Sequence, residues 1–179
     1  MDCIKLIDKY YVDCPELRNI LLTHSTAVCK RALRIAEAHP EFHADRTFIA
    51  EAAMLHDIGI IFCNAPKIYC FGTHHYIEHG FLGAELLRKE GLPQHAHVAE
   101  RHTGTGLTLD EVRMNGWPIP LQDYSPRTIE EQIICYADKF YSKSHIDQEL
   151  SVERVRASIW RYGADSVARF NVWNTMFES

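Results

Sequence analysis

The stretch EAAMLHDIGI, residues 51–60, places a histidine and an aspartate directly after an apolar helical run. Ile49, Ala53 and His56 follow spacings of four and three residues, so His56 is expected on the core-facing side of this helix. Asp57 then lies near the helix C-terminus, where the helix dipole disfavours a negative charge. Either the pair is an incidental helix end or it does chemistry, and this stretch alone leaves both interpretations open.

A second histidine interrupts the apolar stripe of the longest predicted helix, which starts at Pro15 and runs to about Ala38. Leu21, His24 and Val28 share one face of that helix, so His24 is expected to point inward. A buried histidine bonded to a backbone carbonyl would account for it in isolation, and so would a metal ligand.

Asp138 is a charged residue on the apolar face of the segment EEQIICYADKFYSK. It lies four residues after Ile134 and three residues before Tyr141, on an otherwise apolar face. A carboxylate in such surroundings is costly unless it is paired or bound to a metal. A salt bridge to an arginine or lysine is the alternative to a metal site.

Two more histidines stand at predicted helix ends: His79 precedes GFLGAELL, and His102 closes HVAERH. Each alone is explained as a surface or capping residue. Together with the three positions above, however, one shared site explains all of them. Imidazole and carboxylate ligands suit Mn, Fe, Co, Ni or Zn, and the absence of cysteine from the set argues against a structural zinc site.

Helical periodicity extends over almost the whole chain, which predicts an all-α bundle of about seven to nine helices. The sequence shows no internal repeat and no alternating strand pattern, and we expect an irregular loop over residues 58–75 and a proline-rich loop over 116–126. The predicted helices cover about 2–11, 15–38, 45–56, 76–90, 93–102, 108–115, 127–143, 151–162 and 164–177.

Composition limits the classes of protein that fit. The 179 residues, of which 46% are hydrophobic and 24% charged, suit one soluble domain. No apolar run approaches the roughly 18 residues of a membrane span, and no secretory signal is evident, so a cytoplasmic location without a membrane partner is expected. Six cysteines without a C-x-x-C pair are typical of reduced thiols. A net charge of −5 without a basic face disfavours stable nucleic-acid binding. A homo-oligomer is left open.

In the order His24, His56-Asp57, Asp138, these residues resemble the H…HD…D signature of the HD superfamily of metal-dependent phosphohydrolases. HDIG at residues 56–59 is a common form of its central motif. The resemblance spans about residues 20–143. It implies a single HD domain over residues 1–179, with its core at about 15–145 and the C-terminal helices, 151–177, packed on that core.

His79 and His102 resemble the extra histidines of HD members that bind two metals. RHTGTG at residues 101–106 is similar to the H-T-T-G stretch of bacterial HD hydrolases that cleave diadenosine tetraphosphate. Thr103 follows His102 where HD-GYP cyclic-dinucleotide phosphodiesterases carry a second histidine. The sequence also has no G-Y-P motif, which argues against that branch.

The resemblance implies one or two divalent transition metals per chain, Fe, Mn, Co, Ni or Zn. The first metal would be held by His24, His56, Asp57 and Asp138. Asp57 would bridge to a second metal completed by His79 and His102. His56 and Asp57 would be the catalytic residues, and the reaction would be hydrolysis of a phosphate ester or anhydride by metal-activated water. The expected partner is a small phosphorylated substrate, a nucleotide or dinucleotide.

Phosphate contacts are expected from Lys139 and Lys143, which flank Asp138 in the sequence, and from Arg101, which precedes His102. The backbone amide of Gly104 and the side chain of His75 complete the predicted substrate contacts. Two other functions stay open from the sequence. One is a di-iron HD-type oxygenase, and the other is a non-catalytic regulatory module that binds metal and nucleotide.

Overall fold

A computed structural model describes residues 1–179, apart from the side chains of residues 145–147. In the part of the chain that the structure describes, nine α-helices contain most of the residues, so the predicted all-α bundle is confirmed. None of these helices is long and apolar enough to cross a membrane. The helices are α1 (Cys3–Tyr11), α2 (Pro15–Ala38), α3 (Arg46–Leu55), α4 (His79–Lys89), α5 (Pro93–Arg101), α6 (Leu109–Asn115), α7 (Ile129–Asp138), α8 (Val152–Ile159) and α9 (Ala164–Phe177).

Side-chain caps set the starts of several helices. Asp45 accepts a hydrogen bond from the Phe48 backbone N–H at 2.9 Å, which begins α3. Thr108 and Glu111 form a reciprocal capping box at the start of α6. Thr128 caps α7 in the same manner as Asp45 caps α3. These local signals explain why the predicted helix starts agree well with the structure.

Helix α2 contributes to two separate apolar clusters, and His24 lies between its contributions. Leu17 and Leu21 pack in a cluster with α1, α4 and α5. Val28 and Ile35 pack in a second cluster with α3, α7, α8 and α9. The polar residues that the sequence singled out therefore lie at the junction of two hydrophobic cores, where water is excluded from both sides.

The prediction that α7 continues to residue 143 is wrong, because the helix ends at Asp138. The Lys139 N–H bonds to the carbonyls of Tyr136 and Ala137, which tightens the last turn. The chain then forms a short antiparallel hairpin of β3 (Tyr141–Ser142) and β4 (His145–Glu149). Lys143 lies in the turn of this hairpin.

A second hairpin replaces part of the predicted irregular loop. Strand β1 (Asn64–Ala65) pairs antiparallel with β2 (Cys70–Phe71). Strands of two residues are too short to carry an alternating pattern, so periodicity could not detect them. Both hairpins are minor additions to a helical fold, and neither was predicted from the sequence. The six cysteines, all of them described, are free thiols.

Candidate metal centre

Six buried side chains from five helices converge at the junction of the two cores. Of the six, only His24 lies in the middle of a helix. The other five lie at the first or last residue of a helix or just after its end. The six are His24 on α2, His56 and Asp57 after α3, His79 at the start of α4, His102 after α5 and Asp138 at the end of α7.

The first donor group consists of His24, His56, Asp57 and Asp138. His24 Nε2 lies 2.9 Å from Asp138 Oδ1 and 3.0 Å from Asp57 Oδ2. His56 Nε2 lies 3.0 Å from the same Asp57 oxygen. The ligand atoms of the group all lie within 4.8 Å of one another, which is compact enough for one ion.

The second donor group consists of Asp57, His79 and His102. Here the Asp57 Oδ1 atom is 3.5 Å from His79 Nε2 and 3.3 Å from His102 Nε2. The two imidazole nitrogens are themselves 3.0 Å apart. Asp57 thus directs Oδ2 to the first group and Oδ1 to the second.

Backbone carbonyls orient three of the four histidine rings. The Nδ1 atoms of His56, His79 and His102 lie 2.7, 2.6 and 2.7 Å from the carbonyl oxygens three residues earlier. Because a carbonyl can only accept, each Nδ1 carries a proton, so that each of these rings, when neutral, presents its lone pair at Nε2. Bonds of this kind to the remote ring nitrogen are the usual support of metal-bound histidines.

The Nε2 atoms of His79 and His102 therefore point two lone pairs at each other. Burial, together with the neighbouring His102, lowers the pKa of His79 to about 3, so this ring is neutral near pH 7. Burial likewise lowers the pKa of His102, although Asp57 opposes the effect. Two facing lone pairs repel unless a cation lies between them, so the second group fits a metal ion.

The first group also favours a positive charge. Burial alone would lower the pKa of His56, but Asp57 and Asp138 outweigh it and raise the pKa to about 9. His56 Nε2 and Asp57 Oδ1 are fully buried, yet neither makes a hydrogen bond of acceptable geometry. Buried atoms of this kind need a partner, and nitrogen and carboxylate donors suit a divalent transition metal.

Gly59 allows the turn after Asp57 to pack directly on α4. A Cβ atom at this position would lie 2.2 Å from the His79 carbonyl oxygen and 2.4 Å from the Gly83 nitrogen. No side chain can fit there, since both neighbours are backbone atoms. This close approach brings Asp57 opposite His79 and explains the glycine in the HDIG stretch.

Both predicted lysines reach the two donor groups. Lys143 Nζ lies 2.6 Å from Asp57 Oδ2, and burial is outweighed by Asp57, so the pKa of Lys143 stays well above its usual value. Lys139 Nζ lies 2.6 Å from Asp138 Oδ2 and donates to the His102 carbonyl at 2.8 Å. Lys139 therefore links the last carboxylate of the first group to the backbone of the second.

The structure does not bring Arg101 or His75 to the donor groups. Arg101 is buried in an ion pair with Glu131, at 2.9 and 3.1 Å from its two oxygens, because α5 turns its side chain toward α7. His75 is exposed and caps a 3-10 turn over Tyr76–Glu78. Neither position supports the phosphate contact expected from the sequence.

Gly104 does line a cleft beside the first donor group. The cleft encloses about 450 Å³, and we call it the lysine cleft because Asp138, Lys139 and Lys143 form its floor. Gly104 has φ +61°, and a Cβ atom there would lie 3.2 Å from the Tyr162 ring. The Tyr162 ring therefore packs against Gly104, so a side chain at this position would have to displace the ring.

Tyr76 is a site residue that the sequence analysis did not single out. Its ring stacks on His79, with centroids 4.8 Å apart and an angle of 26° between the planes. Lys143 Nζ lies 5.9 Å from the centre of the same ring. The three-residue spacing of Tyr76 and His79 at a helix start was the available signal for this contact.

The six donor residues lie within one match to a known protein family. A model of the HD domain family matches residues 21–142, which include all six. Curated relatives include tRNA (cytidine(56)-2'-O)-methyltransferases of Picrophilus torridus, 36% identical over 129 residues (72% of this chain, 33% of the relative), and of Thermoplasma volcanium, 29% identical over 167 residues (93% and 42%). An uncharacterized protein of Methanocaldococcus jannaschii is 36% identical over 121 residues (66% and 64%). The chain thus spans from a third to just under two thirds of the length of these relatives.

Solved structures show the same fold. The HD domain of the L. monocytogenes phosphodiesterase PgpH is similar with a TM-score of 0.52 at 17% identity, over 92% of both chains. The same domain in complex with cyclic-di-AMP is similar with a TM-score of 0.52 at 18% identity, over 98% of both chains. The family match covers more than half of the sequence and contains the whole donor set, and this chain therefore belongs to the HD domain family.

Proposed function

We propose that this protein is a metal-dependent phosphohydrolase with two divalent transition metals that share Asp57. The observation that carries the proposal is the division of the Asp57 carboxylate, with Oδ2 3.0 Å from His24 and His56 and Oδ1 3.3 Å from His102. A carboxylate placed between two histidine groups is the arrangement expected of a bridging ligand.

The chain's own residues would hold the ions and the phosphate. His24, His56, Asp57 and Asp138 would bind the first ion, and Asp57, His79 and His102 the second. When bound, such a pair supplies an activated water and stabilises negative charge on a phosphoryl group. Lys143 and Lys139 would add fixed positive charge at the floor of the lysine cleft, where the phosphoryl oxygens would lie.

We expect a small phosphorylated substrate of the nucleotide class. The lysine cleft, at about 450 Å³, has the size of a small-molecule site. The structural neighbour that was solved with cyclic-di-AMP supports a nucleotide phosphodiester. A methyltransferase activity is not part of the proposal, since the chain spans only a third to two fifths of the length of those relatives.

A hydrolysis screen tests this proposal. The protein is stripped of metal, reloaded with Mn, Fe(II), Co or Ni, and assayed against nucleoside phosphates, dinucleotides and cyclic dinucleotides. We expect phosphate-bond cleavage that requires the metal and that Ca does not support. Oxygen consumption by the Fe(II)-loaded protein without hydrolysis would favour the oxygenase. Tight metal binding without any turnover would favour the non-catalytic regulatory module.

A further inference from the structure

A second cavity meets the lysine cleft at a shared wall. It encloses about 300 Å³, and we call it the aromatic arm because Trp117, Tyr162 and Tyr76 line it. Tyr76, Arg161 and Tyr162 line both cavities, so the two adjoin at these side chains. The proline-rich segment that supplies Trp117 has no role in the metal site.

The two cavities reach different donor groups. The lysine cleft is bounded by Asp138 of the first group, whereas the aromatic arm is bounded by His79 of the second. A phosphorus atom held between the two groups could therefore direct one substituent into each cavity. The lysine cleft offers ammonium groups and hydroxyls, and the aromatic arm offers ring faces.

The aromatic arm is built from rings that are held in place by other contacts. Trp117 meets Tyr162 edge to face, with centroids 6.1 Å apart and an angle of 69°. Tyr162 packs against Gly104, and Tyr76 stacks on His79. The Trp117 carbonyl accepts a 2.8 Å hydrogen bond from the Ile119 N–H, which fixes the turn behind the indole. The arm is therefore formed without a ligand.

We infer that the aromatic arm is a specificity subsite that binds a planar aromatic substituent of the phosphorylated substrate, with Trp117 as its main stacking surface. This inference rests on the proposed function, because it places the phosphoryl group at the donor groups. Stacking on an aromatic side chain is strong enough to favour an aryl over a methyl substituent by about tenfold or more.

Two phosphonates that cannot be hydrolysed test the subsite. Phenylphosphonate and methylphosphonate carry the same charged group and differ only in the substituent. We would measure their dissociation constants for the Mn-loaded protein by calorimetry. We expect phenylphosphonate to bind about tenfold more tightly than methylphosphonate. Trp117→Ala should reduce this ratio to near one and leave methylphosphonate binding unchanged, while Trp117→Phe should keep most of the preference.

Trp160→Ala is the matched control, since Trp160 is exposed and lines neither cavity. It should leave both constants unchanged, and metal content and circular dichroism verify that each variant is folded. Equal binding of the two phosphonates by the wild type, or equal weakening of both by Trp117→Ala, would overturn the inference. Hydrolysis without aryl preference would refute the subsite alone, and aryl preference without hydrolysis would refute the proposed function alone. Binding of neither phosphonate would overturn the subsite, and together with an absence of hydrolysis it would overturn both proposals.

Discussion

The Nε2 atoms of His79 and His102 face each other at 3.0 Å, with both Nδ1 atoms donating to backbone carbonyls. Two buried neutral imidazoles in these tautomers repel through their lone pairs. A cation that accepts both lone pairs removes the repulsion and gains two ligands. This contact is the strongest sign that the second donor group holds an ion.

Removal of either histidine should therefore cost one metal per chain. His79→Ala and His102→Ala leave the second group with two ligands, whereas the first group keeps all four. We expect metal analysis to fall from two ions to one, and hydrolysis to fall by orders of magnitude. His75→Ala is the control, because His75 is exposed and lies outside both groups. If both variants kept the wild-type metal content, His79 and His102 would not be metal ligands.

Asp57→Asn should be more damaging than either histidine variant. The side chain keeps its size, but it loses its negative charge and an amide NH2 group, which does not bind a metal, replaces one of its two oxygens. Only one of the two groups can then keep an oxygen ligand from this residue. We expect loss of at least one ion and of measurable turnover, with the helical circular dichroism spectrum retained. A variant with wild-type kcat and wild-type metal content would refute the role of Asp57.

Lys139 should act on metal affinity and not only on substrate binding. Its ammonium group joins Asp138 Oδ2 to the His102 carbonyl, so Lys139→Met frees both ligand-bearing segments. Removal of such supporting contacts typically lowers metal affinity by about 10- to 100-fold. Titration with a fluorescent metal indicator would measure this. Lys89→Met, an exposed change on α4, should have no effect. If Lys139→Met raised KM and left the metal affinity unchanged, Lys139 would contact only the substrate and would not support the metal ligands.

Arg101 should matter for stability and not for the substrate. Its ion pair with Glu131 is buried, and loss of one partner leaves a buried charge at a cost of about 3–5 kcal/mol. Arg101→Met should lower the free energy of unfolding by roughly this amount, measured by urea denaturation, with KM unchanged in the folded fraction. If Arg101→Met instead raised KM and left the stability at the wild-type value, Arg101 would contact the substrate phosphate, as the sequence predicted.

Sequence patterns predicted the features of the molecule that depend on residues close together in the chain, such as helix faces and helix caps. His24 and Asp138 could be identified because each interrupts an apolar helix face, and helix starts because caps such as Asp45 are short-range. Strands β1, β2 and β3 could not be predicted, because strands of two residues show no period. Lys139 could be placed beside Asp138, but its bond to the His102 carbonyl joins residues 37 positions apart.

Arg101 and His75 lie outside the donor groups for a different reason. Arg101 was expected at the site because it directly precedes His102, and His75 because it belongs to the loop predicted over residues 58–75. Arg101 follows a different direction from His102, because its guanidinium group pairs with Glu131 on α7. Proximity along the chain therefore predicts the neighbourhood of a site but not its members.

Anomalous diffraction from crystals of the Mn-loaded protein tests the central claim most directly. The claim is that Asp57 shares its carboxylate between two ions. We expect two anomalous peaks about 3.5–4 Å apart, one beside Asp57 Oδ2 with His24 and His56, the other beside Oδ1 with His79 and His102. A single peak, with His79 and His102 directed away from it at saturating Mn, would contradict the two-metal centre.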